Sequence, residues 1–315
     1  MAQQANHPLP NGHRLEEYTI DRQLSLGGFS IVYLATDAEG KMVAIKEYLP
    51  NSLALRGKDE IKPLITGDHL GAFRYGMKCF FEEGRALARL SHPNVIRVLN
   101  FFRANDTVYM VMEYEHGRTL QEFIQKHQGH ISERFIRGLF TRMLNGLREV
   151  HSHKLLHLDL KPSNIYLRSD NTPVLIDFGA ARQTLATDQP MLKPMYTPGF
   201  ASPEHYGARI DLGPWSDIYS VGASMYACLA GVAPQAADSR LKKDTLAPAM
   251  VRWDGQFSDR LLEIIDWCLN LNHLYRPQSV FALQKALVET ITPPSPKASP
   301  NWLGRMVEKL RKPIK

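Results

Sequence analysis

The sequence predicts an α+β protein of two lobes, a small β-rich first lobe with one main helix and a larger helical second lobe. Over residues 18–47, apolar residues alternate in three short runs separated by glycine-containing turns, which is typical of an antiparallel meander. After Gly117 the apolar residues recur mostly at helical spacing, as far as Ile291. The change of period places the boundary between the lobes at residues 113–117.

One helix and two further strands complete the predicted first lobe. Apolar residues recur at helical spacing over residues 76–91, and His92 with Pro93 stops this helix. Two β-type segments follow at residues 95–103 and 107–114.

The second lobe is predicted to be mostly helical, with amphipathic helices at residues 119–127 and 134–153 and short strands near 164–168 and 173–178. Residues 218–237 carry no charge, but their serines, glycines and proline favour a buried core helix over a membrane span. The limits we set are 18–112 for the first lobe, 113–117 for the connection and 118–290 for the second lobe.

The two ends of the chain are predicted to lie outside this domain. Residues 1–17 form an N-terminal extension without the pattern of a secretory signal peptide, and residues 291–300 form a linker rich in proline and serine. Residues 301–315 are a basic amphipathic tail. This tail could dock on an anionic membrane, bind a partner groove, or remain solvated or packed on its own domain.

Bulk composition narrows the class of protein. The chain has 315 residues, 44% of them hydrophobic, and a net charge of +6, yet its first 300 residues contain no run of lysines and arginines. We therefore expect no nucleic-acid binding. The three cysteines lack metal-ligand spacing, which argues against a zinc site and favours the cytoplasm.

The strongest chemical signal is the segment His157-Leu-Asp-Leu-Lys-Pro-Ser-Asn164, followed by Asp177-Phe-Gly179 after an apolar strand. Two acids, a lysine and an asparagine on loops beside strands suit metal–nucleotide chemistry. Phosphoryl transfer needs a base near the acceptor hydroxyl, a cation near the phosphoryl group and oxygen ligands for Mg²⁺.

These motifs resemble those of the eukaryotic-like protein Ser/Thr kinase family, in its bacterial type, over about residues 18–290. The resemblance implies a two-lobed kinase fold with ATP in the cleft between the lobes. It also implies that Asp159 is the catalytic base and Lys161 neutralises the transferring phosphate. Asn164 and Asp177 would be the Mg²⁺ ligands, with Mn²⁺ as an alternative metal.

In the first lobe, Lys46 of Val43-Ala-Ile-Lys46 resembles the lysine that contacts the α- and β-phosphates. Glu83 resembles its ion-pair partner, because it lies nine residues before His92 as in the family; Glu82 is the competing candidate. The chain between Lys46 and Glu83 is longer than in many kinases and resembles an insertion of a bacterial subgroup, whose role the sequence does not indicate.

The glycine-rich loop is degenerate, since only Gly27 of the three family glycines is present. We expect nucleotide binding to be retained. The resemblance further implies that Met112 is the gatekeeper and that residues 113–115 form the hinge whose backbone binds adenine. The residues assigned to the nucleotide pocket, besides Lys46 and Glu83, are Leu24, Gly27, Val32, Ala44, Met112, Glu113 and Glu115.

Two positions bear on the acceptor and on regulation. Thr197 lies where Ser/Thr kinases carry a threonine that touches the base and the lysine, and together with Lys161 it favours serine or threonine acceptors. Leu158 replaces the arginine that pairs with a loop phosphate in other kinases. We therefore expect activity to depend little on phosphorylation of Thr184 or Thr187.

The resemblance implies structural roles for His157 and for the family motifs of the second lobe, in which Arg276 pairs with Glu204. It also implies unidentified protein substrates, autophosphorylation and a metal-dependent Ser/Thr phosphatase as partner. Two alternatives remain open: an ATP-binding pseudokinase or signalling scaffold, and a small-molecule phosphotransferase of the same fold. Retention of Lys46, Asp159, Asn164 and Asp177 favours the kinase, in the cytoplasm or peripherally at the membrane.

Overall fold

Six antiparallel strands form the sheet of the first lobe in a computed structural model, which describes residues 6–128, 130–178, 196–207 and 212–289. Their order across the sheet is β1-β2-β3-β4-β6-β5. The strands are β1 (Arg14–Leu15), β2 (Tyr18–Leu26), β3 (Ser30–Thr36), β4 (Met42–Tyr48), β5 (Val98–Ala104) and β6 (Thr107–Glu113).

Local chemistry explains the tight turns of this sheet. Gly40, with φ of 82°, closes the turn between β3 and β4, where the Asp37 carboxylate accepts the backbone N–H groups of Glu39 and Lys41. Asn105 and Asp106 both have positive φ, the conformation that a two-residue type I′ hairpin between β5 and β6 requires.

The helix α1 (Gly67–Leu87) crosses the sheet and is longer than predicted. The predicted helix at residues 76–91 is wrong at both ends, since α1 begins nine residues earlier and ends four residues earlier, at Leu87. Two glycines weaken the helical signal of the first turns, but Phe73 continues the stripe of Phe80 and Leu87 and is fully buried. Packing against the sheet therefore extends the helix beyond its sequence signal.

Residues 6–17, which the sequence analysis placed in an extension outside the domain, contact the first lobe. Leu9 and Leu15 are each 2% exposed, and β1 pairs with the start of β2. This segment covers the face of the sheet that α1 does not cover.

The second lobe contains a small sheet of order β7-β8-β9 and seven helices among the described residues. Its strands are β7 (Gly117–Thr119), β8 (Ile165–Arg168) and β9 (Pro173–Leu175). Its helices are α2 (Leu120–Lys126), α3 (Glu133–Ser152), α4 (Pro214–Ala230), α5 (Ala237–Lys242), α6 (Ala249–Arg252), α7 (Asp259–Cys268) and α8 (Val280–Val288).

The core of this lobe is built around α4, and nearly all of its residues are buried. At Gly222 an added Cβ would lie 2.4 Å from Cβ of Cys268, so glycine permits α4 and α7 to approach closely. The uncharged stretch is thus a buried helix as predicted only as far as Ala230, since Gly231 ends α4. Within the described ranges, none of the helices combines the length and apolarity that crossing a bilayer requires.

Gly117 begins β7, directly after the connection between the lobes. A Cβ at this position would collide with the carbonyl oxygen of Leu167 on β8. Only glycine allows the chain to leave β6 and pair at once with the second lobe, so the connection stays short.

Candidate active site

Asp217, in the first turn of α4, supports the loop that carries the predicted catalytic residues. Its carboxylate accepts the backbone N–H groups of His157 at 2.9 Å and Leu158 at 2.8 Å, and lies 2.7 Å from Nε2 of His151. Burial raises the pKa of Asp217, but the hydrogen bond and charge of His151 outweigh it and the pKa is lowered. Leu158 has φ of 61°, an unfavourable backbone conformation that these bonds stabilise.

Asp159, Lys161 and Thr197 form a closed triangle of hydrogen bonds. Nζ of Lys161 donates to Oδ2 of Asp159 and to Oγ1 of Thr197, both at 2.7 Å, and the Thr197 hydroxyl donates to Oδ1 of Asp159 at 3.0 Å. Asn164 Nδ2 donates to the same carboxylate at 3.1 Å. Three predicted site residues, two from the same loop and Thr197 from a distant segment, therefore surround one carboxylate, whose side chain is 18% exposed.

His157 lies beneath this loop, in the structural position that the resemblance implied. Its ring is 4.3 Å from that of Phe178, and Nε2 lies 3.2 Å from the carbonyl oxygen of Ile176. Burial lowers the pKa of His157, so the imidazole is neutral at pH 7 and packs as an uncharged group.

Asn164 and Asp177, the predicted metal ligands, are joined through the backbone. The N–H of Ile176, next to Asp177, donates to the carbonyl of Asn164 at 3.0 Å. Partial burial opposes ionisation of Asp177, but the charge and hydrogen bond of Lys46 and the charge of Lys161 lower its pKa to about 2. The carboxylate is therefore ionised at neutral pH, as a metal ligand must be.

This donor set fits Mg²⁺ bound together with a nucleotide. In the part of the chain that the structure describes, no group of three or more His, Cys, Asp or Glu side chains is placed to hold a metal ion. Mg²⁺ is commonly held by one or two protein oxygen ligands plus phosphates and waters, which is what one carboxylate and one amide supply.

Lys46 connects the two lobes. Its Nζ donates to Oδ1 of Asp177 at 2.5 Å, and it lies 5.6 Å above the ring of Phe80 on α1. Glu83 is 3% exposed on the same face of α1, whereas Glu82 lies on the outer face and pairs with Arg85. The positions favour Glu83 over Glu82 as the residue that faces Lys46, and the pairing itself stays a prediction.

Strand register explains the predicted nucleotide pocket. Val32 lies opposite Lys46, and Ala44 lies opposite Met112, so these four residues occupy one face of the sheet. Val32, Ala44 and Met112 are half-buried, as is Leu24 on β2. The face that presents the Lys46 ammonium group therefore also presents an apolar surface suited to a purine ring.

The glycine-rich loop is a tight turn between β2 and β3. The N–H of Gly27 donates to the carbonyl of Ser30 at 2.9 Å. A Cβ on Gly27 would meet that carbonyl oxygen at 3.4 Å, an ordinary contact distance, and one on Gly28 would meet nothing within 4 Å. The turn therefore leaves room above the predicted pocket without the other two family glycines.

The connection between the lobes is held at both ends. The N–H of Glu113 donates to the carbonyl of Arg97 at 3.0 Å. The Glu115 carboxylate accepts two hydrogen bonds from the Arg168 guanidinium, which also donates to the carbonyl of Pro93 at 2.8 Å. The Glu115 side chain is thus committed to structure, and contact of the backbone at residues 113 and 115 with a nucleotide stays a prediction.

Arg276 pairs with Glu204, as the sequence predicted. Two bonds of 2.8 and 3.0 Å join the guanidinium to the carboxylate, and both side chains are at most 5% exposed. Burial raises the pKa of Glu204, but the bond and charge of Arg276 outweigh it and the pKa is lowered. Thr184 and Thr187, the predicted loop phosphorylation sites, lie outside the described residues.

The two lobes and the charged cluster between them define a two-lobed protein with a candidate active site in its cleft. The sequence matches the protein kinase domain family over residues 18–288. The solved structure titled PpkA-294 apo form is 34% identical, with a TM-score of 0.78 over 89% of this chain and 99% of that one.

Two curated relatives are serine/threonine kinases. Nek2 from Homo sapiens is 32% identical over 71% of this chain and 53% of its own length. PLK4 from Drosophila willistoni is 28% identical over 71% of this chain and 26% of its own length. The chain therefore spans from about a quarter to about half of these relatives, and it belongs to the protein kinase family.

The sequence contains no signal for the role of Arg168 or for the polar residues that are buried with the insertion after Lys46. Arg168 is 53 residues from Glu115 in the chain, and no local pattern connects the two. Arg56, which with Arg276 is the largest fully buried side chain of the described residues, lies in a segment of mixed composition without clear periodicity. A long-range ion pair has no sequence signal, because each partner alone resembles a solvated surface charge.

Proposed function

We propose that the whole protein is a protein serine/threonine kinase, which transfers the γ-phosphoryl group of ATP to a protein hydroxyl. The observation that carries the proposal is the hydrogen-bonded triangle of Asp159, Lys161 and Thr197. A carboxylate, an ammonium group and a hydroxyl held together in this way are the groups that phosphoryl transfer to an alcohol requires.

In the proposed reaction the acceptor oxygen forms a bond to the γ-phosphorus while the bond from that phosphorus to the bridging oxygen of ADP breaks. Asp159 takes up the proton of the acceptor hydroxyl. Lys161 places a positive charge beside the transferring group, where negative charge accumulates. The Thr197 hydroxyl donates to Oδ1 of Asp159 while Lys161 and Asn164 donate to Oδ2, so the carboxylate is held in one orientation for the acceptor hydroxyl.

Asn164 and Asp177 would hold Mg²⁺, with Mn²⁺ as the alternative, and the bound ion would neutralise phosphate charge. Lys46 would contact the α- and β-phosphates, oriented by Glu83 on α1. Leu24, Val32, Ala44 and Met112 would enclose the adenine, and the backbone at Glu113 and Glu115 would bind its edge.

The direct test measures transfer of labelled phosphate from ATP with Mg²⁺ to the protein itself and to a general protein acceptor. We expect labelling by the wild type, on serine and threonine, and its loss in Asp159→Asn while nucleotide binding is retained. Intact ATP binding without labelling in either protein would contradict the proposal and favour a pseudokinase. Labelling mainly on tyrosine would contradict the assignment of the acceptor.

The basic tail at residues 301–315 lies outside the described residues, and we propose it as a docking segment. Leu303, Met306, Val307 and Leu310 would share one face of a helix with basic residues around it. Co-sedimentation with vesicles containing anionic lipid should be stronger for the full chain than for a chain ending at residue 291. Equal sedimentation would count against membrane docking.

We also propose a cytoplasmic location, peripheral to the membrane where the tail docks, and a metal-dependent Ser/Thr phosphatase as the partner that reverses autophosphorylation. Cell fractionation tests the location. Loss of label on incubation with such a phosphatase, and its retention when the phosphatase metal is chelated, tests the partner class.

A further inference from the structure

The carboxylate of Glu47 is the centre of a buried cluster on the opposite face of β4 from Lys46. Consecutive side chains of a strand point to opposite faces, so Glu47 points away from the cleft. Its Oε2 accepts the hydroxyl of Tyr33 at 2.6 Å, and its Oε1 accepts the hydroxyl of Tyr109 at 2.8 Å. Tyr33 lies on β3 and Tyr109 on β6, so one carboxylate joins three neighbouring strands.

Arg56 completes this cluster from the insertion between β4 and α1. Its guanidinium donates to both oxygens of Glu47, at 2.6 and 2.7 Å, and to the hydroxyl of Tyr33 at 2.8 Å. Both charged side chains are 0% exposed. Burial opposes the charge of Arg56, but the bonds and charge of Glu47 outweigh it and raise its pKa. The pair is therefore ionic and shielded from solvent.

The N-terminal segment fixes the same arginine from the other side. The side-chain oxygen of Asn6 accepts the backbone N–H of Arg56 at 2.6 Å, and the carbonyl of His7 accepts Nε of Arg56 at 2.9 Å. Asn6 Nδ2 donates to the carbonyl of Ala54 at 3.1 Å. Residues 49–56, which we name the anchored segment, are thus held at their distal end by charge and by backbone bonds.

At its proximal end the anchored segment holds the glycine-rich loop. The N–H of Leu49 donates to the carbonyl of Phe29 at 3.0 Å, and the N–H of Asn51 donates to the carbonyl of Gly28 at 2.9 Å. A Cβ added to Gly28 would meet no heavy atom within 4 Å, so the two backbone bonds hold a loop that is otherwise open at this residue. Two backbone hydrogen bonds join Leu55, the residue before Arg56, to Leu64, and the chain then continues into α1.

We propose that Arg56 is a positioning residue for nucleotide binding. By pairing with Glu47 it fixes the anchored segment, which in turn holds the glycine-rich loop over the face of β4 that carries Lys46. This role rests on the proposed kinase function, since it assumes that ATP binds at that face. The insertion is thereby a brace for the nucleotide site.

The brace affects the binding of ATP but not the binding of the protein acceptor. The glycine-rich loop and Lys46 belong to the first lobe, whereas Asp159 and Thr197 belong to the second. Loss of the Glu47–Arg56 pair therefore weakens binding of ATP and leaves the binding of the protein acceptor unchanged. If the pair had a purely structural role, its loss would lower the melting temperature but would change neither the KM for ATP nor the KM for the acceptor in the folded enzyme.

The test compares Arg56→Met and Arg56→Lys with the wild-type full chain in steady-state transfer assays. For Arg56→Met we expect the KM for ATP to rise about tenfold to a hundredfold, as for a displaced positioning group, with the acceptor KM unchanged. Arg56→Lys keeps the charge but loses the two parallel hydrogen bonds to Glu47, so its KM for ATP should lie between that of the wild type and that of Arg56→Met.

Arg240→Met is the matched control. Arg240 is a largely buried arginine of the second lobe that pairs with Asp244 and donates to the carbonyl of Leu269. Its loss should lower the melting temperature while the KM for ATP stays at the wild-type value. An unchanged KM for ATP in folded Arg56→Met, with the same melting-temperature loss as the control, would overturn the proposal.

If Arg56→Met does not fold, Arg56→Lys and Tyr109→Phe decide the question. Tyr109→Phe removes one donor to Glu47 and keeps the ring, so it should raise the KM for ATP without affecting the acceptor. Wild-type values in both variants would overturn the role of the cluster. Absence of transfer by the wild type would instead refute the proposed function, so the two failures are distinguishable.

Discussion

Arg168, the last residue of β8, holds the carboxylate of Glu115 with bonds of 2.7 and 2.5 Å and donates to the carbonyl of Pro93 at 2.8 Å. Three segments distant in the chain thus meet at one guanidinium. The hydrogen bonds and charge of Glu115 outweigh partial burial and raise the pKa of Arg168, so the guanidinium is charged at neutral pH.

Arg168→Met should weaken ATP binding about fivefold, because the pair is partly exposed and about 1 kcal/mol is expected from it. Without the arginine, the backbone at Glu115 is less fixed relative to the second lobe. Titration with a fluorescent ATP analogue measures the effect. Arg260→Met, which removes exposed pairs with Glu263 and Glu289, is the control and should bind as the wild type does.

Thr197→Val should lower kcat about tenfold to a hundredfold and leave the KM for ATP unchanged. Valine has the shape of threonine but cannot donate to Asp159 or accept from Lys161, so both groups lose a fixed partner. Thr197→Ser restores the hydroxyl and should recover most of the rate. Equal loss in the valine and serine variants would indicate that the methyl group, and not the hydroxyl, matters.

Glu83→Gln should reduce phosphoryl transfer, whereas Glu82→Gln should not. The two residues are adjacent on α1, but Glu83 is buried on the face that carries Phe80, whereas Glu82 pairs with Arg85 on the outer face. The neutral amide removes the charge that is expected to orient Lys46. Steady-state rates of the two variants measure this contrast, and an inactive Glu82→Gln beside an active Glu83→Gln would reverse the assignment.

Removal of phosphate from the loop that contains Thr184 and Thr187 should leave the wild-type rate nearly unchanged. Leu158 is 1% exposed, and its aliphatic side chain offers no charge to a phosphate. The comparison is between phosphatase-treated and autophosphorylated enzyme, with phosphorylation checked by mass. A large loss of activity on dephosphorylation would show that another cation performs the role of the missing arginine.

Arg276→Met should lower the free energy of unfolding by about 3–5 kcal/mol at pH 7, because the Glu204 carboxylate is left buried and unpaired. The pKa of Glu204 is lowered in the folded wild type, so its contribution is present above the ordinary carboxyl pKa and is lost as the pH falls through the folded value. The difference in the free energy of unfolding between the variant and the wild type should therefore become smaller in acid. Denaturant unfolding at pH 7 and near pH 4 measures it, and a constant gap would exclude Glu204 as its source.

Much of the fold could be predicted because its signals are local. Alternation predicted β2 to β6, and helical spacing predicted α2, α3 and α4, since each pattern reports which face of an element is buried. The first turns of α1 were missed because their glycines weaken a helix that packing then stabilises.

The sequence by itself determined the family and the chemical groups of the site, because Asp159, Lys161, Asn164 and Asp177 lie in short motifs of fixed spacing. Only the tertiary structure decided how distant charges combine. It brought Arg56 to Glu47, Arg168 to Glu115, and Thr197 between Asp159 and Lys161. A buried charge is tolerated only beside its partner, and the chain path that joins the two depends on the packing of whole elements. The insertion after Lys46, without a readable role in the sequence, is thereby the brace that we propose for the nucleotide site.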